Sequence, residues 1–221
     1  MAGAVIVGAG PGLGQAVAQR FAREGLPITL VSRHKRNLRD VAHSLAHHGV
    51  PVVPLQADST DRTELEAALD EAVDRHGVPE VAVYNAALVR ADKVGELSVR
   101  EHMDAWAVNV IGALHTAARL APLMAARRSG TFLVTGGMPE PKAQYVSLSL
   151  GKSGLRTLVA LLEQQYGAAG VHVATVTVDG PVTRGGDFDP DRIAESYWRL
   201  HTQPRHLWAQ EVLYSGNTPG H

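Results

Sequence analysis

The sequence has no cysteine, almost no net charge and no long apolar run. Without cysteine, a disulfide framework, thiolate chemistry and zinc sites built on sulfur are excluded. The 21 basic and 22 acidic residues leave a formal net charge of -1, which provides no field to attract nucleic acid or an anionic membrane. No apolar run approaches the roughly 20 residues of a membrane span. We therefore expect no nucleic-acid or membrane partner, and instead a small-molecule substrate or a second copy of the chain.

The length and the first residues predict one domain in the cytoplasm. The opening MAGAVIVGAG lacks the charged region of a secretory signal and runs straight into a glycine loop, so we expect it to be part of the folded protein. A chain of 221 residues that is 45% hydrophobic can build one substantial core. We therefore expect residues 1–221 to form a single domain.

Short β-rich apolar runs alternate with longer segments of helical period. The predicted strands are 4–7, 27–31, 50–55, 81–84, 131–134, 171–178 and 211–214. Such alternation is typical of βαβ units, in which a parallel sheet is covered by helices on both faces. The predicted fold class is therefore α/β, with a doubly wound parallel sheet of about seven strands.

Two helix starts can be recognised from their capping residues. Ser98 with Glu101 three residues later forms a capping box, and Asp189 followed by Pro190 has the pattern of an N-cap and the first helical residue. The first of these helices is predicted to continue to Arg128. Its many alanines give it a small apolar surface that can pack against a second long helix.

A glycine-rich loop, GAGPGLG at 8–14, follows the first predicted strand and opens a helix. Gly8, Gly12 and Gly14 allow a tight turn, close approach of a pyrophosphate to the backbone, and close packing of helix on strand. Gly10 and Leu13 are also predicted to bind the cofactor. A helix N-terminus offers free N–H groups and a positive dipole to its phosphates. The alternative is a purely structural glycine turn.

The second predicted strand ends without the acidic residue that would bind the 2′-hydroxyl of an adenosine ribose. The chain has Ser32 and Arg33 there, and a hydroxyl with a guanidinium can bind a 2′-phosphate, so the sequence favours NADP over NAD. Alternatively, Arg33, Lys35 and Arg36 form an ordinary solvated helix entry. After the third strand, Asp58 can accept a hydrogen bond from an adenine amino group or can cap a helix.

Several separated motifs resemble the short-chain dehydrogenase/reductase family over almost the whole chain. The matching positions are the Gly8-x-x-x-Gly12-x-Gly14 loop, Asp58, Asn85 and Ala86 in YNAA, Asn109 in the long helix, and Lys152 in GKSGL. The resemblance implies a Rossmann-fold oxidoreductase with a bound dinucleotide, in which Asn109 and Lys152 are catalytic residues and Lys152 also binds the nicotinamide ribose. It also implies a homodimer or tetramer formed through the long helix and the lysine-bearing helix.

The departures from that family lie where its chemistry takes place. Gly136 and Gly137 occupy the position of a serine pair, and Leu148 stands four residues before Lys152, where the family has tyrosine. Tyr145, one turn earlier, is a candidate for proton transfer, with loop packing as its alternative role. Two hypotheses follow: an NADP(H)-dependent oxidoreductase with atypical chemistry, or a catalytically silent dinucleotide-binding protein that acts as a sensor or assembly partner.

The eleven histidines raise the possibility of a metal site. His43 and His47 have the i, i+4 spacing that places two imidazoles on one helix face, and His48 is adjacent. No carboxylate or further histidine accompanies them at a suitable spacing. We therefore expect no metal site.

Overall fold

The computed structural model describes residues 2–216 and contains one parallel sheet of seven strands. Their spatial order is β3-β2-β1-β4-β5-β6-β7. The strands are β1 Ala4–Val7, β2 Ile28–Ser32, β3 Val52–Gln56, β4 Val81–Tyr84, β5 Gly130–Gly137, β6 Val171–Val178 and β7 Glu211–Tyr214. The order of the strands reverses between β1 and β4, and crevices at such reversals are where open α/β sheets bind ligands. This architecture confirms the predicted fold class.

Helices cover both faces of the sheet. They are α1 Leu13–Arg23, α2 Lys35–Leu45, α3 Arg62–His76, α4 Val99–Trp106, α5 Gly112–Arg127, α6 Val146–Tyr166 and α7 Pro190–His201. The helices α1, α2 and α7 bury their apolar sides against one face, and α3, α5 and α6 against the other. None of the helices in the described range 2–216 is long and apolar enough to cross a membrane.

Three predicted strand boundaries are wrong by a few residues, and the largest error is in β5. We predicted 131–134, whereas β5 continues through Gly136 and Gly137. Glycine has a low β propensity, but here the neighbouring strand decides, because β5 pairs with β6 residue by residue from Gly130 to Gly137. The strands β2 and β3 are shifted by one or two residues toward their C-terminal ends.

The predicted helix 98–128 is present but is not continuous. The capping box of Ser98 and Glu101 starts α4 as expected. A five-residue π-helical segment, Ala107–Ile111, then separates α4 from α5. Such bulges are frequent at functional sites, and this one contains Asn109. The N-cap at Asp189 and the proline after it are also confirmed.

Candidate functional site

A cleft lies at the carboxyl edge of the sheet, where the strand order reverses. The ends of β1, β2 and β4 and the loops that follow them form its walls. Its lining includes predicted site residues from separate parts of the chain: Gly8, Gly10, Ser32, Arg33, Asp58, Asn85 and Ala86. The fold thus brings these residues together in one crevice.

The glycine loop has both packed and open positions. A Cβ at Gly8, whose φ is +90°, would lie 2.3 Å from the backbone nitrogen of Ala86, and one at Gly14 would lie 2.5 Å from the carbonyl oxygen of Gly8. In contrast, a Cβ at Gly10 or Gly12 would have no neighbour within 4 Å. Gly8 and Gly14 are therefore required by the protein's own packing, whereas the surface at Gly10 and Gly12 is open to a ligand.

The helix α1 follows directly after this loop, whose residues Gly8 and Gly10 line the cleft. The helix α1 begins at the buried Leu13, and no side chain caps it from Gly12. The first backbone N–H groups of a helix have no partner within the helix, and they carry the positive end of its dipole. Together with the open surface at Gly10 and Gly12, this arrangement suits a pyrophosphate.

Ser32 and Arg33 lie at the end of the cleft beside β2. The backbone N–H of His34 donates to Ser32 Oγ over 3.4 Å, so the proton of that hydroxyl is still available. Arg33 Nε donates to His34 Nε2 over 3.0 Å. Within residues 2–216, the two terminal nitrogens of Arg33 have no protein acceptor. A hydroxyl with an available proton and a guanidinium with two available nitrogens thus line this end of the cleft.

Asp58 lies half-buried on the same wall and does not cap α3, which is capped by Asp61 instead. Its Oδ1 accepts from the backbone N–H and the hydroxyl of Thr60, at 2.9 and 2.8 Å. Burial raises the pKa of Asp58, but the hydrogen bonds from Thr60 and the nearby positive charge of Arg33 outweigh that effect and hold the pKa below its usual value. Asp58 is therefore an ionised acceptor at neutral pH.

Asn109 lies in the π-helical segment and is fully buried. Its side-chain oxygen accepts from the backbone N–H of Leu88 at 2.9 Å, and its nitrogen donates to the Leu88 carbonyl at 3.2 Å. Tyr84 holds the same segment, because its hydroxyl donates to the carbonyl of Val108 at 2.5 Å. In this structure, Asn109 joins the segment to the loop after β4, and its side chain does not project into the open cleft.

Lys152 is buried in α6 and points toward the end of β5. Its Nζ donates to the carbonyl oxygen of Thr135 over 2.7 Å, and burial lowers its pKa to about 8. One turn before it, Leu148 is only 4% exposed, so the position four residues before the lysine is apolar and buried. Tyr145 is the N-cap of α6 and is half-buried, about 10 Å along the helix axis from Lys152.

The two glycines at the end of β5 differ in the space around them. A Cβ at Gly136 would lie 2.5 Å from the hydroxyl oxygens of both Thr175 and Thr177. The nearest neighbours of a Cβ at Gly137 would be the carbonyl oxygen of Val178 at 3.5 Å and the side chain of Lys152 at 3.8 Å. Only Gly137 therefore has room for a side chain beside the lysine.

Comparison with known protein families gives a match to the short chain dehydrogenase family over residues 2–184. The chain belongs to this family. It is 29% identical to an uncharacterized oxidoreductase of Staphylococcus aureus (strain N315), with 95% of this chain and 94% of that protein covered. An uncharacterized oxidoreductase of Staphylococcus epidermidis (strain RP62A) is 26% identical over 95% of this chain and 94% of its own length.

Solved structures of other dehydrogenases and oxidoreductases share the fold over nearly the whole chain. An alcohol dehydrogenase from Thermococcus sibiricus, complexed with 5-hydroxy-NADP, superposes with a TM-score of 0.87 at 25% identity and full coverage of both chains. A metagenomic short-chain oxidoreductase in complex with NADP gives a TM-score of 0.88 at 24% identity, with 96% of each chain covered.

Two residues that support the site were not predicted from the sequence of this short-chain dehydrogenase. Arg156 donates to the carbonyls of Gly137 and Met138, at 3.1 and 3.2 Å, and so supports the turn after β5, where Met138 has a φ of +48°. Its position four residues after Lys152, on the same helix face, was the available signal. The other residue is Tyr197 of α7, for which the sequence offered no signal beyond an aromatic residue on an apolar helix face.

The histidine-rich end of α2 holds no set of metal ligands. The rings of His47 and His48 lie 4.0 Å apart, and burial lowers the pKa of His48. No group of three or more histidine or carboxylate side chains that could hold a metal ion occurs among residues 2–216.

Proposed function

We propose that this short-chain oxidoreductase binds NADP(H) in the cleft at the carboxyl edge of the sheet. The observation that supports this most directly is the pairing of the open phosphate loop at Gly10 and Gly12 with the unpaired guanidinium edge of Arg33. The loop suits a pyrophosphate, whereas Ser32 and Arg33 suit an additional phosphate on the adenosine ribose. Asp58 then accepts a hydrogen bond from the adenine amino group. The backbone of Asn85 and Ala86 lies against the loop at Gly8.

In this proposal, the nicotinamide supplies or accepts the hydride when it is bound. The protein's part is to orient it and to manage protons. Lys152 binds the ribose through its ammonium group, and Asn109 shapes the helix beside the site. Leu148 and Gly137 provide no proton donor to a substrate carbonyl, and the hydroxyl of Thr135 donates to Asn85 instead. We therefore infer a site in which ordinary carbonyl reduction is slow.

A catalytically silent dinucleotide-binding protein is the second candidate function, favoured by the packing at the lysine. Leu148 is buried, and the hydroxyl of Thr135 at the end of β5 already donates its proton to Asn85. Every binding feature would persist in a sensor or an assembly partner. The two candidates therefore differ in turnover and agree in their affinity for the cofactor.

Two measurements on the unmodified chain test these proposals. In calorimetric titrations, NADPH should bind more tightly than NADH, and equal affinities would contradict the NADP assignment. NADPH oxidation is then followed over panels of aldehydes, ketones and activated alkenes. Alkenes are included because conjugate reduction can take its proton from water. Turnover of any panel supports the enzyme, whereas binding without turnover across all three supports the silent binder.

Tyr145 is the residue that we propose for proton transfer if carbonyl turnover proves rapid. It is on the same face of α6 as Leu148 and Lys152, and its hydroxyl has no hydrogen-bond partner within the described part of the chain. Tyr145→Phe should then abolish carbonyl reduction and leave the affinity for NADPH unchanged. If the variant retains full turnover, Tyr145 has only a packing role.

We also propose that the chain forms a homodimer, or a tetramer, through α4 and α6. Met103 and Leu150 are 60% and 56% exposed, and together with Trp106 they border an apolar surface pocket. Exposed apolar surface of this kind marks association sites. A twofold axis would bring the same surface of each copy into contact.

A further inference from the structure

The hydroxyl group of Tyr197 is connected to the cleft by hydrogen bonds. Tyr197 lies in α7 with no exposed surface. Its oxygen is 2.6 Å from Thr135 Oγ1, which is 2.8 Å from Asn85 Oδ1. Asn85 Nδ2 in turn lies 2.9 Å from the carbonyl oxygen of Gly8. A single chain of hydrogen bonds thus connects α7, β5, the end of β4 and the phosphate loop.

The chemistry of the groups determines the direction of every bond in this chain. The Gly8 carbonyl can only accept, so the side chain of Asn85 presents its NH₂ group to Gly8 and its oxygen to Thr135. That oxygen can also only accept, so Thr135 gives its one hydroxyl proton to Asn85. The hydroxyl of Tyr197 must therefore donate to Thr135. Burial raises the pKa of Tyr197, which keeps the phenol protonated as this donor.

Both the phosphate loop at Gly8 and the side chain of Lys152 depend on residues of this hydrogen-bond chain. The Gly8 carbonyl also accepts from the backbone N–H of Gly10 at 2.9 Å, so it fixes the turn of the phosphate loop. The carbonyl of Thr135 accepts from Lys152 Nζ at 2.7 Å. A shift of Thr135 would therefore move the bond to the lysine as well as the support for Gly8.

We propose that Tyr197 is a positioning residue for the phosphate loop, acting through Thr135 and Asn85. Its hydroxyl keeps the side chain of Thr135 aligned with Asn85, which in turn holds Gly8 in the geometry that a pyrophosphate requires. A binding site that is already ordered before the ligand arrives loses less entropy on binding. This inference rests on the proposed function, because it assigns the residue a role in binding a dinucleotide.

Tyr197→Phe removes the first donor of the chain and keeps the ring. It should weaken the binding of ADP-ribose, which carries the pyrophosphate, by about threefold to tenfold, the range of one neutral hydrogen bond. Adenosine 2′-monophosphate has no pyrophosphate and does not reach the loop, so its affinity should stay unchanged. A merely structural defect would lower the affinity for both ligands or for neither.

Substitutions at Thr135 test the same series of hydrogen bonds without altering α7. Thr135→Val is nearly isosteric and breaks the bonds to both Asn85 and Tyr197, so it should weaken ADP-ribose binding at least as much as Tyr197→Phe. Thr135→Ser keeps the hydroxyl and should restore the affinity. Tyr166→Phe is the matched control, because the Tyr166 hydroxyl accepts from Gln165 on the other face of the sheet. Each affinity is measured by calorimetry at a temperature where circular dichroism shows the variant to be folded.

The possible outcomes separate this inference from the proposed function. If the unmodified chain binds neither ADP-ribose nor NADPH, the proposed function fails. If it binds them and both Tyr197→Phe and Thr135→Val match its affinity, the positioning role is overturned alone. Equal weakening of ADP-ribose and adenosine 2′-monophosphate also overturns it. If Tyr197→Phe does not fold, the comparison of Thr135→Val with Thr135→Ser decides.

Discussion

At the scale of single residues, the end of β5 has two adjacent glycines that differ in the space available for a side chain. Gly136 is enclosed by the hydroxyls of Thr175 and Thr177, whereas Gly137 borders Lys152 with room for a larger residue. Gly136 is required by the packing of β5 on β6. Gly137 instead leaves an unfilled position beside the lysine, and Leu148, one turn before the lysine in α6, is a buried apolar residue.

Restoring hydroxyls at these positions should create a carbonyl reductase. We expect Gly137→Ser combined with Leu148→Tyr to raise the rate of ketone or aldehyde reduction by one or more orders of magnitude, since a positioned general acid contributes about 10² to 10⁴-fold. The measurement is kcat/KM with NADPH. The control is Gly136→Ser with Leu148→Tyr, which should lose about 1 to 3 kcal/mol of folding stability through overpacking and should gain no activity. Rapid turnover by the unmodified chain would contradict the argument.

A second prediction at this scale concerns Arg33. Arg33→Ala should remove the preference for NADPH over NADH and cost about 1 to 3 kcal/mol of NADPH binding, the size of a charge-assisted contact. Calorimetric titration of both cofactors measures this. Arg36→Ala is the matched control, because Arg36 lies outside the cleft lining and pairs with Asp40 at 3.6 Å. If both variants lose affinity equally, the effect comes from general charge and Arg33 has no specific role.

At the scale of elements, α4 and α6 carry the apolar surface that we propose as the contact between copies. Replacing Met103 and Leu150 by glutamate introduces charges into that surface, and it should reduce the assembly to a monomer. Light scattering at micromolar concentration should then give the mass of one chain, 23.5 kDa, which is half that of a dimer and a quarter of that of a tetramer. Leu207→Glu is the control, because Leu207 is also 60% exposed but lies outside these helices. An unmodified chain that is already monomeric would refute the proposed dimer.

Comparison with the sequence predictions shows which elements could be found by pattern. The sheet was predictable because short apolar strands alternate with helices, and the start of α4 because Ser98 and Glu101 form a local motif. The break in the long helix at Ala107–Ile111 was not predictable, since it depends on Tyr84 and on the loop at Leu88, which are distant in sequence. The role of Tyr197 was missed for the same reason, because it acts through Thr135 in β5 and Asn85 after β4.

At the scale of the whole molecule, the buried His172 and the partly buried His201 link stability to pH. The ring of His201 lies 2.9 Å from the hydroxyl of Thr131, and burial together with the nearby His172 lowers its pKa to about 4. In the unfolded chain, a histidine has a pKa near 6.5. Between these values the unfolded state binds more protons, so this contribution to stability is complete above about pH 6.5 and is lost as the pH falls toward 4.

The expected result is a fall in the free energy of unfolding between pH 7.5 and 5.0, of which about 1 to 2 kcal/mol is due to His201. Urea unfolding at both values measures it. His201→Asn keeps a polar partner for Thr131 and should make the fall smaller by that amount. His206→Asn, at an exposed position, should leave the pH dependence as it is in the unmodified chain. If His201→Asn shows the same fall, the histidine does not carry the effect.

The hydrogen-bond chain from Gly8 to Tyr197 also has a consequence for how the protein is made. Gly8 is synthesised before Tyr197, which lies 189 residues later in the chain, and synthesis proceeds at about 5–20 residues per second. During that interval the phosphate loop exists without its full support. A nucleotide stabilises only a state to which it binds, so it cannot stabilise the growing chain as it stabilises the finished one. We therefore expect a bound nucleotide to protect this protein fully only after α7 has been synthesised and packed.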